Sequence, residues 1–174
     1  PRKIAWSTRE DNNDWTAKAT NTAGDLIVPT SGDILGAKKY KLDTIVFTET
    51  GINRMYYSGN PFVYGISTAG ENCRPLSMRA VVSAGDFLAW LGENSIFTYD
   101  GRVREIPSDV HDYIYDNLNY AMRSVAVGGH NSNYNEIWWF FPSSADTGYT
   151  PSRYVIWNYK DNTWSKGTGV DRGA

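Results

Sequence analysis

The sequence has little of the chemistry that enzymes and metal sites use, with one cysteine and two histidines. Cys73 has no partner for a disulfide within the chain, and we expect it to pack as a small apolar residue. Neither His111 nor His130 has a cysteine or a second histidine at metal-ligand spacing. Phosphate-binding, dinucleotide-binding and G-x-S-x-G motifs are absent, and no calcium loop is complete. We therefore predict no enzyme activity and no catalytic, cofactor-binding or metal-binding residue.

Long hydrophobic runs and a strong net charge are also missing. No apolar run approaches the roughly 18 residues that a membrane helix needs, so we predict no membrane-spanning segment. The net charge of −2 argues against a general nucleic-acid binder. Three lysines do cluster at Lys38, Lys39 and Lys41, a pattern typical of a solvated strand edge or loop.

The sequence is rich in aromatic residues and glycine, with 7 Trp, 12 Tyr, 6 Phe and 16 Gly. Aromatic and β-branched runs favour strands, and Gly, Asn and Asp favour the turns between them. Paired runs of this kind predict three β-hairpins. The pairs are 44–48 with 52–57, 87–91 with 96–99, and 136–141 with 153–159.

The hairpins recur at roughly 40–50 residues, an interval typical of propeller blades, each of which is an antiparallel meander. The N-terminal segment 4–16 resembles 156–165, since each has an aromatic strand, an Asx-rich turn and a tryptophan. We therefore predict an all-β fold of antiparallel meanders in about three to four β-propeller-like blades, forming one domain over residues 1–174. Because the chain opens on Pro1 instead of methionine, we expect it to be a fragment of a longer chain and of a larger propeller.

One short helix is predicted from about 109 to 119. Ser108 follows a proline and is a favourable N-cap residue. Val110, Ile114 and Leu118 are spaced four apart and would share one apolar face. We expect this helix to connect two blades and cover an edge.

Acidic and tryptophan residues leave a second interpretation open, in which a propeller binds or hydrolyses carbohydrate. Glycoside hydrolysis needs two carboxyl groups facing one cleft. The candidates are Asp43, Asp86, Asp100 and Glu136, although Asp43 and Asp86 each precede the first strand of a hairpin, as turn residues do. Trp138 and Trp139 must face opposite sides of a strand, which favours a sheet buried on both faces over a sugar-binding surface.

A set of short motifs extends over nearly the whole chain. These motifs lie at 6–7, 14–16, 21–24, 53–59, 61–65, 99–101, 104–107, 112–119, 135–142, 153–155 and 158–159. Together they resemble a family of virion structural proteins of short-tailed bacteriophages, the tail nozzle or tail tubular proteins and the related packaged-DNA stabilisation proteins. Family members are usually longer and have more blades.

The resemblance implies a β-propeller-like subunit of a homo-oligomeric ring, a hexamer, that lies below the portal. Such a ring extends the DNA channel and retains or conducts the genome without sequence-specific binding. Its expected partners are the portal or adaptor and other tail proteins, its expected location is the tail of the virion, and its assembly is expected in the host cytoplasm. The family contributes no catalytic residues to this sequence.

Overall fold

The computed structural model describes residues 1–59, 61–146, 148 and 150–169. Within these ranges the chain is all-β, with fourteen strands, one α-helix and two short 3-10 turns. The helix α1 covers His111–Tyr115, and the 3-10 turns cover Met78–Ala80 and Tyr120–Val125. The strands are β1 Lys3–Trp6, β2 Gly24–Ile27, β3 Ile34–Tyr40, β4 Asp43–Thr48, β5 Gly51–Gly59, β6 Val63–Glu71, β7 Val82–Ser83, β8 Leu88–Leu91, β9 Ile96–Tyr99, β10 Val103–Glu105, β11 Val127–Asn131, β12 Glu136–Phe141, β13 Arg153–Asn158 and β14 Thr163–Thr168.

The strands form a two-stranded ribbon and three four-stranded antiparallel sheets. Strands β1 and β2 make the ribbon, β3–β6 make sheet 1, β7–β10 make sheet 2, and β11–β14 make sheet 3. Within each four-stranded sheet every strand pairs with the next strand in sequence, so each sheet is a simple meander. The three predicted hairpins are confirmed as the pairs β4–β5, β8–β9 and β12–β13.

The chain divides into two compact units, Pro1–Arg74 and Pro75–Ala174. The first contains the ribbon and sheet 1, and the second contains sheets 2 and 3 with α1. One domain over residues 1–174 stays a prediction.

In sheet 1, buried and exposed side chains do not alternate along the strands as they would in a sheet with one solvated face, because the last four residues of β4 and the first three of β5 are all buried. Ile45, Phe47 and Ile52 are fully withdrawn from solvent. Cys73, which follows β6, is also fully buried and is in no disulfide, which confirms its expected apolar packing. The cluster of lysines lies on the edge strand β3 and the following turn, as predicted.

Sheets 2 and 3 share one hydrophobic core with α1. Strand β12 alternates strictly, with Ile137, Trp139 and Phe141 fully buried on one face. These residues pack in one cluster with Ala89 and Leu91 of β8 and with the buried side chains of β13. The apolar face of the helix joins the same cluster through Val110, Ile114 and Leu118, which confirms the predicted face.

Glycines opposite aromatic residues recur in the ribbon and in sheets 1 and 3. In each pair the ring lies over the space that a glycine side chain would fill, an arrangement that restores cross-strand packing at a residue without its own side chain. A Cβ atom on Gly65 would lie 2.7 Å from Tyr56 Cζ, and one on Gly167 would lie 2.4 Å from Tyr154 Cζ. The pairs in register are Gly24 with Trp6, Gly65 with Tyr56, Gly128 with Trp139, and Gly167 with Tyr154.

The predicted helix was too long, and its predicted cap was wrong. The α-helix has five residues, its N-cap is Val110, and no side chain caps it. Ser108 Oγ is buried without a hydrogen-bond partner among the described residues, so this hydroxyl does not cap the helix. The chain turns again after Tyr115 because Asn119 N donates to the Pro142 carbonyl oxygen at 3.0 Å, which ties this segment to the end of β12.

One further expectation needs correction, and the resemblance of the two chain ends extends to only part of each segment. The N-terminal segment has the aromatic strand β1 and a turn after it, but 14–16 lies outside any strand, whereas 163–165 begins β14. Trp15 is instead 55% exposed, and its indole nitrogen donates to the Asn12 carbonyl oxygen at 2.6 Å. Trp138 and Trp139 do face opposite sides, but Trp138 is only half-buried, so one face of sheet 3 is less covered than predicted.

Candidate functional site

A cleft of about 310 Å³ lies in the second unit, lined by residues of sheets 2 and 3 and of the loops that adjoin them. Its walls combine two carboxylates with three aromatic rings and a threonine. The lining residues are Asp86, Phe87, Thr98, Asp100, Trp157 and Tyr159. A concave site with aromatic walls and a few polar groups is the usual form of a ligand site in a protein.

Local turns bring the lining residues to the same edge. A tight turn before β8 is closed by hydrogen bonds from Ala84 N to Phe87 O at 2.9 Å and from Asp86 N to Ala84 O at 3.1 Å. Gly85 occupies this turn with a φ of 80°, a conformation that glycine adopts without steric cost. Side chains two apart on a strand share a face, which explains why Thr98 and Asp100 at the end of β9 both line the cleft.

Neighbouring side chains fix the aromatic wall of the cleft, which consists of Phe87, Trp157 and Tyr159. Trp157 is only 7% exposed; its ring stacks on Trp164 at 5.7 Å and 15°, and its indole nitrogen donates to Asn162 Oδ1 at 3.1 Å. Phe87 packs edge-on against both Trp157 and Tyr159, with ring centroids 5.9 and 5.3 Å apart. Because each ring is fixed by another, the wall is preorganised.

The two carboxylates differ in their surroundings. Asp86 is exposed, and its carboxylate has no hydrogen-bond or ion-pair partner among the residues that the structure describes. Asp100 forms an ion pair with Arg104 at 3.2 Å, and both side chains are well exposed, so this pair contributes little to stability. The cleft thus presents at least one carboxylate that is free to accept hydrogen bonds.

The other two acidic candidates lie elsewhere. Asp43 accepts a hydrogen bond from Arg54 Nε at 2.5 Å in sheet 1. Glu136 Oε2 accepts from Trp138 Nε1 at 2.9 Å on β12. The structure therefore brings together Asp86 and Asp100 from the four candidates, and engages Asp43 and Glu136 in pairings within their own sheets.

The two histidines are also separated. His130 Nε2 lies 3.1 Å from Tyr159 Oη, so His130 contacts one ring of the aromatic wall. His111 lies on α1, with Nε2 3.0 Å from the Asn94 carbonyl oxygen and Nδ1 3.2 Å from Asp112 Oδ1. Chiefly the carbonyl of Asn94, and then the carboxylate of Asp112, raise the pKa of His111, because both favour the protonated ring.

Residues 1–59, 61–146, 148 and 150–169 contain no group of three or more His, Cys, Asp or Glu side chains that could hold a metal ion. Among the same residues, no helix is both long enough and apolar enough to cross a membrane.

A second cavity, of about 390 Å³, lies in the first unit. It differs from the cleft in its charge, since its described lining includes Arg9 and no carboxylate. Its aromatic residues pack edge-on, with Tyr64 5.1 Å from Trp6 and 6.1 Å from Tyr57 between ring centroids. Val63 at its rim has a φ of 59°, a strained conformation for a β-branched residue.

The sequence reasoning named Asp86 and Asp100 but did not identify Phe87 and Tyr159, two of the rings that line the same cleft. Phe87 belongs to the turn before β8 and Tyr159 follows β13, more than 70 residues later in the chain. The aromatic content of both hairpins was visible in the sequence, but no local pattern shows which hairpin ends meet.

Comparison of the sequence with models of known protein families gave no match, and comparison with curated proteins also gave none.

Proposed function

We propose that this chain is a non-enzymatic structural protein of a bacteriophage tail, a component of a tube or nozzle ring that extends the DNA channel and retains or conducts the genome. The observation that carries the proposal is the succession of three four-stranded meanders at regular intervals. A single sheet of this kind has two faces to cover, and repeated sheets cover one another when they stand side by side. The motifs that resemble tail nozzle proteins extend over all three sheets.

The contacts between sheets 2 and 3 support their interpretation as neighbouring blades. Their first strands meet, because a Cβ atom on Gly128 of β11 would lie 2.4 Å from Val82 Cγ2 of β7. Two hydrogen bonds join the same region: Trp139 Nε1 donates to the Ala80 carbonyl oxygen at 2.9 Å, and Ser77 Oγ donates to the Ala126 carbonyl oxygen at 2.5 Å. In blades arranged around a common axis, the first strands of neighbouring blades lie next to each other.

The half-covered face of sheet 3 supports a subunit that has neighbours. Trp138 stacks on Tyr154 at 5.7 Å and 19°, and on Phe140 at 6.1 Å and 29°. An aromatic layer of this kind is typical of protein interfaces, where large rings contribute most of the binding energy. In the proposed hexameric ring this face meets a neighbouring subunit, or the portal, adaptor or another tail protein.

The charge of the chain agrees with a conduit for DNA. Each phosphate that a protein neutralises adds affinity and slows passage, so a conduit requires few such contacts. With 17 basic and 19 acidic side chains the molecule has no excess of positive charge to hold DNA. The proposed location is the virion, after assembly in the host cytoplasm.

Native mass spectrometry and electron microscopy of the purified protein test the ring, and labelling of virions with a specific antibody tests its location. We expect a closed oligomer, with the label at the tail. A protein that stays monomeric at every concentration and is missing from virions would contradict the proposal.

A carbohydrate-binding or glycoside-hydrolysing propeller is the second candidate, and the meeting of Asp86 and Asp100 beside aromatic rings favours it. Two carboxyl groups in one cleft are the minimum that glycoside hydrolysis requires. A glycan array with the parent chain and with Asp86→Asn and Asp100→Asn separates the candidates, and Asp109→Asn is the control because Asp109 is exposed outside the cleft. Glycan binding that both cleft variants abolish would establish this candidate, and absence of binding would end it.

A further inference from the structure

The lining of the cleft in the second unit has more hydrogen-bond acceptors than donors. Its two carboxylates accept hydrogen bonds and its three rings offer π faces and edges, while the only donors in the described lining are the hydroxyl groups of Thr98 and Tyr159, with no lysine, arginine, asparagine or glutamine. A saccharide needs donors as well as acceptors from its site, whereas an ammonium group needs only acceptors and rings. The lining therefore matches a cationic group attached to an apolar body better than it matches a neutral sugar.

The turn between β3 and β4 has the complementary chemistry. Leu42 at this turn is 96% exposed, the greatest exposure of any large hydrophobic side chain among the described residues. Lys39 and Lys41 beside it are exposed and basic. The nearest acidic residue along the chain, Asp43, is paired with Arg54 of the same sheet.

We propose that the basic tip (Lys39, Lys41 and Leu42) of one copy of this chain docks into the acidic cleft of the next copy. Leu42 packs against the aromatic wall, and the lysines lie near Asp86 and Asp100. The cleft volume of about 310 Å³ suits a few side chains, not a whole element. The inference rests on the proposed ring, because a contact between two different surfaces closes into a ring when each copy is rotated relative to the last.

Charge complementarity selects a second copy as the occupant. The tip carries Lys39 and Lys41, and the cleft carries the exposed carboxylate of Asp86 beside Asp100, which is paired with Arg104. Both surfaces also carry apolar side chains, fully exposed at the tip and partly buried in the cleft. Opposite potentials guide two surfaces together and fix their register, and burial of Leu42 against rings then adds the hydrophobic contribution. A basic segment of another tail protein and a saccharide are the alternative occupants, which the experiment below distinguishes.

Two charge-reversed variants test the contact by native mass spectrometry. In the tip variant, Lys39→Glu with Lys41→Glu, tip and cleft are both negative; in the cleft variant, Asp86→Lys with Asp100→Lys, both are positive. We expect each variant alone to assemble at least tenfold more weakly than the parent. An equimolar mixture should recover assembly, with the two variants alternating, because each tip then meets a cleft of opposite charge.

Matched controls reverse charges outside the contact. Lys160→Glu and Asp109→Lys change exposed residues of the same types and should leave assembly unchanged. Circular dichroism of each variant verifies the fold, and the recovery in the mixture shows that neither variant is misfolded. The variant Leu42→Ser keeps the charges of the tip. It should assemble more weakly than the parent, and it should not need a charge-reversed partner in order to assemble.

Each outcome decides between the two proposals. If the parent forms rings and the reversed variants form them equally well, or if the mixture fails to recover, the docking of tip and cleft is wrong and the ring stands. If the parent never assembles, both are overturned. Loss of glycan binding in the cleft variant, with rings intact, would assign the cleft to a saccharide. Binding of another tail protein that the cleft variant loses, with rings intact, would assign the cleft to that partner.

Discussion

Three polar side chains in sheet 1 and the loop before it form a buried chain of hydrogen bonds. Asn53 Nδ2 donates to Thr30 Oγ1 at 2.6 Å, and Thr30 Oγ1 lies 2.8 Å from Thr48 Oγ1. Thr48 Oγ1 donates to the Gly51 carbonyl oxygen at 3.1 Å, so Thr30 is the donor to Thr48. Thr30 therefore both accepts and donates, which no apolar residue can replace.

The substitution Thr30→Val tests this network at the level of one hydroxyl group. Valine fills the same space but leaves the buried Asn53 amide without its acceptor, a loss of about 1–3 kcal/mol in the free energy of unfolding. Thr30→Ser keeps the hydroxyl group and should cost less. Urea unfolding of the three proteins measures the difference; a valine variant as stable as the serine variant would contradict the network.

Cys73 provides a second prediction at the residue scale. Burial raises the pKa of its thiol to about 11, because the thiolate would lose its hydration. A thiol reagent at neutral pH should therefore react very slowly with the native protein and rapidly with one thiol per chain after unfolding in guanidinium chloride. Full reaction of the native protein on mixing would show that the residue is accessible.

At the scale of elements, the first strand of sheet 3 carries two adjacent glycines in different surroundings. A Cβ atom on Gly128 would lie 2.4 Å from Val82 Cγ2 and 2.8 Å from Trp139 Cδ1, whereas one on Gly129 would meet nothing within 4 Å. Trp139 is fully buried and cannot move aside. Close approach of β11 to β7 therefore depends on the absence of a side chain at residue 128.

The matched pair Gly128→Ala and Gly129→Ala measures this dependence. We expect Gly128→Ala to lower the free energy of unfolding by about 1–3 kcal/mol through overpacking. Gly129→Ala should be neutral or stabilising by up to about 1 kcal/mol, since alanine reduces the entropy of the unfolded chain. Denaturant unfolding compares them; equal effects would mean that the strands do not approach as closely as described.

Helix α1 carries a pH-dependent contact through His111. Protonation lets both ring nitrogens donate, Nε2 to the Asn94 carbonyl oxygen and Nδ1 to the Asp112 carboxylate. Because the pKa is raised in the folded state, the stabilisation is fully present below the unfolded value of about 6.5 and is lost as pH rises through the folded value. The variant His111→Gln should therefore lose stability relative to the parent at pH 5.5 but hardly at pH 8.5.

Thermal unfolding at the two pH values measures that difference, and an NMR titration of His111 measures the pKa itself. The side chain is 47% exposed, so the effect on the melting temperature is expected to be small. A His111 pKa at or below the usual value for histidine would contradict the two hydrogen bonds.

Hairpins were the elements that the sequence predicted best. Strands β4, β5, β8, β9, β12 and β13 coincide with the aromatic and β-branched runs to within a few residues. The first and last strands of the sheets were not predicted individually. Strand β11 has the sequence Val-Gly-Gly-His-Asn, and its two glycines would indicate a turn. It is a strand because Trp139 and Val82 pack over Gly128, which no local pattern reveals.

At the scale of the whole molecule, the proposed assembly depends on opposite charges that are exposed to solvent. Screening shortens the range of such interactions from about 8 Å at 0.15 M salt to about 3 Å at 1 M. We expect ring assembly to weaken as salt is raised over this range, while the apolar contact of Leu42 keeps part of the affinity. Light scattering at a series of salt concentrations measures this; assembly that strengthens with salt would indicate a purely apolar interface.

The sequence by itself determined the all-β class, the three central hairpins, the burial of Cys73 and the apolar face of α1. These features depend on neighbours along the chain: alternation, spacing by four, and turn residues that few other conformations suit. Only the tertiary structure decided that Asp86 and Asp100 share a cleft with Tyr159, that the side chain of Ser108 does not cap α1, and that Trp138 is half-buried. Those outcomes depend on which distant surfaces meet, and the free energy of such contacts comes from packing, which local sequence patterns do not encode.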